Sequence, residues 1–199
     1  MMQVTQFVMA YRVEQDRIRA MLPEGFESLR PVLRINGERR TQDGQETLYL
    51  EFNTPVAALG KRGWLNIARW DSGSTALTFT RHENTHTFRA SFLEISFTAS
   101  GVTGGCPAEG DNQGCFYPGA TLAFVPAERI DSHKEYCTCA FAWRFDPNST
   151  GGVSVGSDSI PAIPTQPEKQ YPKQELTAQN AAAIPCRQVL GSYMVTFDR

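Results

Sequence analysis

Apolar and polar positions along this chain alternate in short runs that favour strands over helices. Val4–Tyr11 is an apolar run of strand length, and it leads into Val13–Met21, where Val13, Ile18, Met21 and Leu22 recur at near-helical spacing. Pro23-Glu24-Gly25 ends that helix, because proline cannot continue it and glycine tolerates the backbone of a helix end. Leu29–Ile35 alternates, with Leu29, Pro31, Leu33 and Ile35 on one side and Arg30, Val32, Arg34 and Asn36 on the other. Asp43-Gly44 separates this strand from Glu46–Phe52, and the lengths predict a hairpin with a long tip. Gly63–Trp70 places Trp64, Asn66, Ala68 and Trp70 on one face, and Asp71-Ser72-Gly73 terminates it.

Two further β-rich runs, Thr75–His82 and Thr85–Phe97, flank a turn at Glu83-Asn84. Gly101–Gly119 reads as a long surface loop, rich in glycine, proline, aspartate and asparagine. Ala120–Val125, Tyr136–Phe145 and Ser192–Phe197 supply more strands, Ser149–Pro172 is irregular, and Thr177–Ala183 is a short helix stopped by Ile184-Pro185. The sum is a single domain over residues 1–199, of the α+β class but mostly β, and a closed antiparallel β-barrel with a few short helices fits it best. Such a barrel can hold a small-molecule cavity. Polar side chains on strand faces that should point inward mark its lining, namely Arg34, Asn36, Glu51 and Glu94.

Charge narrows the partners. With 19 basic against 21 acidic residues and no basic cluster, the chain lacks a nucleic-acid surface. No apolar run approaches the roughly 18–20 residues that span a bilayer, and Met1–Ala10 lacks the pattern of a signal peptide, so a cytoplasmic location is expected. The five cysteines, an odd number, then point away from a disulfide framework. Cys106, Cys115, Cys137 and Cys139 could in number hold a structural zinc, but their spacing fits no zinc knuckle, and Cys137 and Cys139 would stand about 7 Å apart along a strand. His82 and His86 are four apart in a β-rich hairpin, where solvation at the tip is the expectation and no metal site is assigned. Glu51 and Glu94 each lie in an apolar strand, where a carboxylate must be paired, as with Arg34 or Arg89, or perturbed for acid–base work.

The segment Tyr11-Arg12-Val13-Glu14-Gln15-Asp16-Arg17-Ile18-Arg19-Ala20-Met21-Leu22-Pro23-Glu24-Gly25-Phe26-Glu27 resembles the opening signature of the acetoacetate decarboxylase superfamily, and Pro31–Asn36, Tyr49–Phe52 and Lys61–Leu65 look like its next strands. The resemblance covers about the first third of the chain. It implies the family's closed sheet around a small apolar cavity, a small organic acid or carbonyl compound as ligand, and assembly into a homo-oligomer. Of the family's two pocket carboxylates, one looks matched by Glu51, and the other aligns near Asn36. The family's decarboxylases use a Schiff-base lysine, but no lysine lies between Lys61 and Lys134, and arginine cannot do amine chemistry. The expectation is therefore a divergent member that binds or converts a small oxo acid without that mechanism and without a cofactor, with Glu51 and Glu94 in acid–base roles and Arg34, Asn36 and Trp64 binding the ligand. A ligand-binding barrel without catalysis and a zinc-stabilised structural protein are the alternatives.

Overall fold

A computed structural model describes residues 1–107, 112–145, 150–154 and 169–199. The elements in chain order are β1 (Gln3–Arg12), α1 (Gln15–Arg19), β2 (Glu27–Ser28), β3 (Val32–Gln42), β4 (Gln45–Ala58), β5 (Lys61–Asp71), β6 (Thr78–His82), β7 (Thr85–Ala90), β8 (Leu93–Thr103), β9 (Gly114–Tyr117), β10 (Ala123–Pro126), β11 (Glu135–Trp143), β12 (Gly151–Val153), α2 (Ala178–Ala182) and β13 (Gln188–Asp198). The mostly β character is as expected. Much of the irregular stretch expected over Ser149–Pro172 lies outside the described residues.

The strands form one sheet ordered β10-β9-β5-β4-β3-β1-β13-β11-β8-β7-β6, with β12 on β11 and β2 on β4. Among the described residues β10 and β6 end the ladder without pairing to each other, so hydrogen bonds do not close a barrel. One pair departs from antiparallel order: β9 runs parallel to β5, with Trp64 opposite Cys115 and Leu65 opposite Phe116. The sheet instead folds over on itself through side chains. Phe7 on β1 meets Phe79 on β6 at 5.8 Å and Phe88 on β7 at 5.4 Å between ring centroids, and Phe52 on β4 meets Trp143 on β11 at 4.6 Å. Gly37 permits this approach, since a Cβ there would stand 3.1 Å from the Phe88 ring and 3.2 Å from Leu50.

Local chemistry sets the connections. Asp43 (φ 51°) and Gly44 (φ 78°) form a two-residue turn between Gln42 and its partner Gln45, so the hairpin is tight and not long-tipped. Leu59 and Gly60 do the same between β4 and β5. The expected loop over Gly101–Gly119 contains the end of β8 and the whole of β9, and the run Thr85–Phe97 is broken into two strands at Ser91-Phe92. The first helix is shorter than its periodicity suggests, whereas Thr177 caps α2 by accepting from the Asn180 backbone N–H at 3.1 Å.

Strand alternation divides the sheet into two faces. Phe7, Met9 and Tyr11 of β1, Leu33 and Ile35 of β3, and Leu50 and Phe52 of β4 enter the main core. Their neighbours Val8, Ala10, Arg34, Asn36, Tyr49 and Glu51 point to the opposite face, where they line a cavity of about 1130 Å³.

Candidate ligand cavity

Because the side-chain period of a strand is two, Arg34 and Asn36 of β3 and Tyr49 and Glu51 of β4 fall on the cavity face. Arg34 pairs with Asn53 and Asn36 with Glu51 across these strands, and Glu51 continues to Arg69 on β5. The lining therefore has a polar centre on β3 and β4, with Arg69 of β5 beside it.

Glu51 is 6% exposed and is held by three donors. The hydroxyls of Tyr49 and Tyr117 both donate to Oε1 at 2.6 Å, and Asn53 Nδ2 donates to Oε2 at 3.3 Å. Asn53 is itself fixed by Asn66, which donates to its Oδ1 at 3.0 Å and to the Ala68 carbonyl at 2.9 Å. Burial, followed by the charge of Glu51, pushes both phenols above the usual tyrosine range, so they remain donors across neutral pH. The same two causes push the Cys115 thiol up to about 12. Cys115 is thus a protonated wall residue at neutral pH and not a poised nucleophile.

Arg34 lines the same cavity from the neighbouring strand, its guanidinium stacked 3.7 Å above the Trp64 ring. Burial works against its charge, and Tyr193 and Glu51 act in the opposite direction. It remains a cation, as arginine does in proteins. Its buried Nε has no hydrogen-bond partner among the described residues, and the same is true of Asn36 Oδ1. Glu38, Arg40, Arg199 and Glu128 also contribute to the lining, but they satisfy one another: Arg40 and Arg199 bind Glu38, and Arg199 binds Glu128 at 2.6 Å. Lys134 sits against Tyr136 and Tyr193, 5.4 Å from each ring centroid.

The structure brings Arg34, Asn36, Glu51 and Trp64 into one cavity. Glu94 is elsewhere. It lies on β8 outside the cavity lining, half-exposed, and accepts from Arg89 Nε at 2.9 Å, which corrects its expected place in the site. The exposed pairing arises because Glu94 and Arg89 stand directly opposite on β8 and β7, on the face away from Leu93 and Ile95. Lys61 is an exposed residue beside the β4–β5 turn, outside the cavity. The cysteines do not converge: Cys106 is exposed, Cys115 lines the cavity, and Cys137 and Cys139 are buried on β11. Among the described residues no three histidines, cysteines or carboxylates are grouped to hold a metal ion. His86 is not a solvated tip residue but is packed against Phe7 and Phe79.

Sequence reasoning did not assign Tyr49, Tyr117, Tyr193 or Lys134 to the site. Tyr49 carried a signal, since it stands two residues from Glu51 and so shares its face. Tyr117 carried none, because β9 is four residues long and finds its partner strand some fifty residues away.

No protein-family model matches the chain, and no curated protein does. Solved structures do. The chain is similar to the enduracididine biosynthesis enzyme MppR complexed with pyruvate, at 13% identity and a TM-score of 0.59, over 98% of this chain and 84% of that one. It is also similar to acetoacetate decarboxylase from Legionella pneumophila, at 14% identity and a TM-score of 0.55, over 98% and 82% of the two chains. The protein therefore has the acetoacetate decarboxylase-like fold, in a version whose hydrogen-bonded ladder is open among the described residues.

Proposed function

We propose that the cavity binds a small organic acid, with the ligand carboxylate on Arg34, an adjoining carbonyl towards the Asn36 amide NH₂, and the carbon beside that carbonyl, or a hydroxyl, towards Glu51. The observation that carries this reading is Arg34: a guanidinium inside a cavity, stacked on Trp64, with a buried Nε that no described residue satisfies. Enclosing a guanidinium is costly unless its charge is answered, and a planar carboxylate on the part of the Arg34 guanidinium that faces the cavity answers it with matched geometry. The occurrence of pyruvate in the MppR structure is consistent with this ligand class.

Glu51 gives the site a proton acceptor beside such a ligand. In this reading it takes a proton from the carbon next to the ligand carbonyl, while Tyr49 and Tyr117 hold it in place. Schiff-base chemistry is not invoked, nor is a cofactor. The test is calorimetric titration with pyruvate and other 2-oxo acids, with borohydride trapping of the same mixtures and proton–deuterium exchange followed by NMR. Saturable binding that weakens about 10–100-fold in Arg34→Met is expected, from the usual contribution of a charge-assisted hydrogen bond. Exchange at the carbon beside the carbonyl should disappear in Glu51→Gln, and no lysine adduct should form. Undiminished binding by Arg34→Met would refute the carboxylate site, and binding without exchange in the unaltered protein would leave a ligand-binding barrel.

A further inference from the structure

The polar centre occupies only part of the cavity. Moving along the strands from Glu51, the lining changes character in steps of two residues. Asn36, Glu51 and Arg69 form one cross-strand row, and Arg34, Asn53 and Asn66 form the next. Two residues further on, the cavity face carries Val32 on β3, and Pro55 on β4 paired with Trp64 on β5. The Thr54 hydroxyl donates to the Val32 carbonyl at 3.0 Å, which fixes these neighbouring strands against each other.

Val32, Ala10 and Leu190 pack together with Trp64 as a hydrophobic cluster separate from the main core, and all four line the cavity. Ala10, Val32 and Leu190 are themselves buried, so they form a closed apolar floor, and the half-buried Trp64 ring is the part of the cluster most open to the cavity. Together they form an apolar annex beside a cationic anchor, and Arg34, stacked on the Trp64 ring, stands at the boundary between annex and polar centre.

We infer that the acid bound here carries an apolar aliphatic or aryl body of several carbons, with its carboxylate on Arg34 and its body along Val32, Pro55, Trp64 and Leu190. This rests on the organic-acid reading above and narrows it. A cavity of about 1130 Å³ is somewhat above the range, about 300–1,000 Å³, that suits ligands much larger than a three- or four-carbon oxo acid. A short acid would satisfy Arg34 but leave most of this volume unfilled. An extended body would fill that volume and take its own apolar surface out of water against a wall that is already closed.

The experiment is a chain-length series on the unaltered protein: straight-chain 2-oxo acids from three to eight carbons, and phenylpyruvate, titrated calorimetrically. Each methylene that enters the annex should tighten binding about threefold to fourfold, the equivalent of about 0.8 kcal/mol per buried CH₂. The gain per methylene should shrink in Leu190→Ala, whose folding is checked by its melting curve. Short acids that bind with no gain, or with a loss, beyond four carbons would overturn the extended ligand and leave the organic-acid reading standing. If no acid of any length binds, both fail. Because the series itself needs no substitution, a poorly folded variant cannot obscure the result.

Discussion

Glu51 receives two phenol hydrogen bonds on one oxygen, an arrangement that ties β9 to β4 as well as orienting the carboxylate. Removing one donor should therefore be felt in stability and in the site. Tyr117→Phe deletes the bond that crosses between strands, whereas Tyr49→Phe deletes one made within β4. A hydrogen bond to a charged group contributes about 1.5–3 kcal/mol, and Tyr117 is only partly buried, so the lower part of that range is expected from urea denaturation of Tyr117→Phe. Tyr49→Phe should cost less, because β4 keeps its backbone pairing on both sides. Equal and negligible losses would show that the two hydroxyls merely decorate Glu51. The residues readable in advance at this scale were those with an anomalous polarity for their strand: Arg34, Asn36 and Glu51 interrupt apolar segments. Trp64 was readable only as an aromatic on a strand face. Glu94 gave the same polar signal and sits outside the cavity, since polarity within a strand reports a second face but not whether that face encloses a ligand or meets solvent.

At the scale of elements, the wall of the cavity depends on close approach between β5 and β9. A Cβ on Gly63 would press into the Gly114 carbonyl, and one on Gly114 into the Val125 carbonyl on β10. Since both obstacles are backbone, neither can rotate aside. Gly63→Ala should therefore separate the parallel pair, with a loss of about 1–3 kcal/mol typical of overpacking and a weaker grip on any ligand that uses Trp64 or Tyr117. Gly105→Ala is the comparison: a Cβ there meets nothing within 4 Å, and its effect on the melting temperature should be close to zero. An unchanged melting temperature in Gly63→Ala would mean that β9 is loosely attached. Local patterning shows why this pair was hidden. Strands such as β1 and β3 announce themselves by alternation over many residues, and turns by Asp-Gly or Glu-Asn at their centre. A four-residue strand within a glycine-rich stretch has neither signal, and its partner is set by tertiary packing. The openness of the ladder was equally illegible, because the aromatic contacts of Phe7 with Phe79 and Phe88 bring strands together that share no backbone pairing.

Those contacts make one histidine a sensor of the whole fold. His86 on β7 is 7% exposed, and its ring lies 5.2 Å from that of Phe7 on β1 and 5.9 Å from that of Phe79 on β6, where the sheet folds over. Its buried Nδ1 has no partner among the described residues. Burial first, then the positive charge of Arg81 on β6, holds the imidazole below its ordinary pKa; Arg39 on β3 acts in the same direction and Glu135 on β11 against it. The native state thus binds the proton less readily than the unfolded chain, in which histidine titrates near about 6.5. Above that pH both states are neutral and the His86 contribution to stability is intact; as pH falls below it, the unfolded state is protonated first, and stability declines until the folded-state pKa is passed. Glu38 behaves in the opposite sense: burial pushes its pKa up, but Arg40 and Arg199 together outweigh it and hold the pKa down, so its contribution is lost as pH falls from the ordinary carboxylate value towards the lower folded one, in a separate window. Denaturation midpoints measured between pH 5 and 8 should therefore decline on the acid side. His86→Phe, which keeps an aromatic ring between Phe7 and Phe79, should flatten that decline, whereas His82→Gln, at an exposed position, should preserve it. A decline that persists undiminished in His86→Phe would assign the acid sensitivity to groups other than the imidazole at the fold-over.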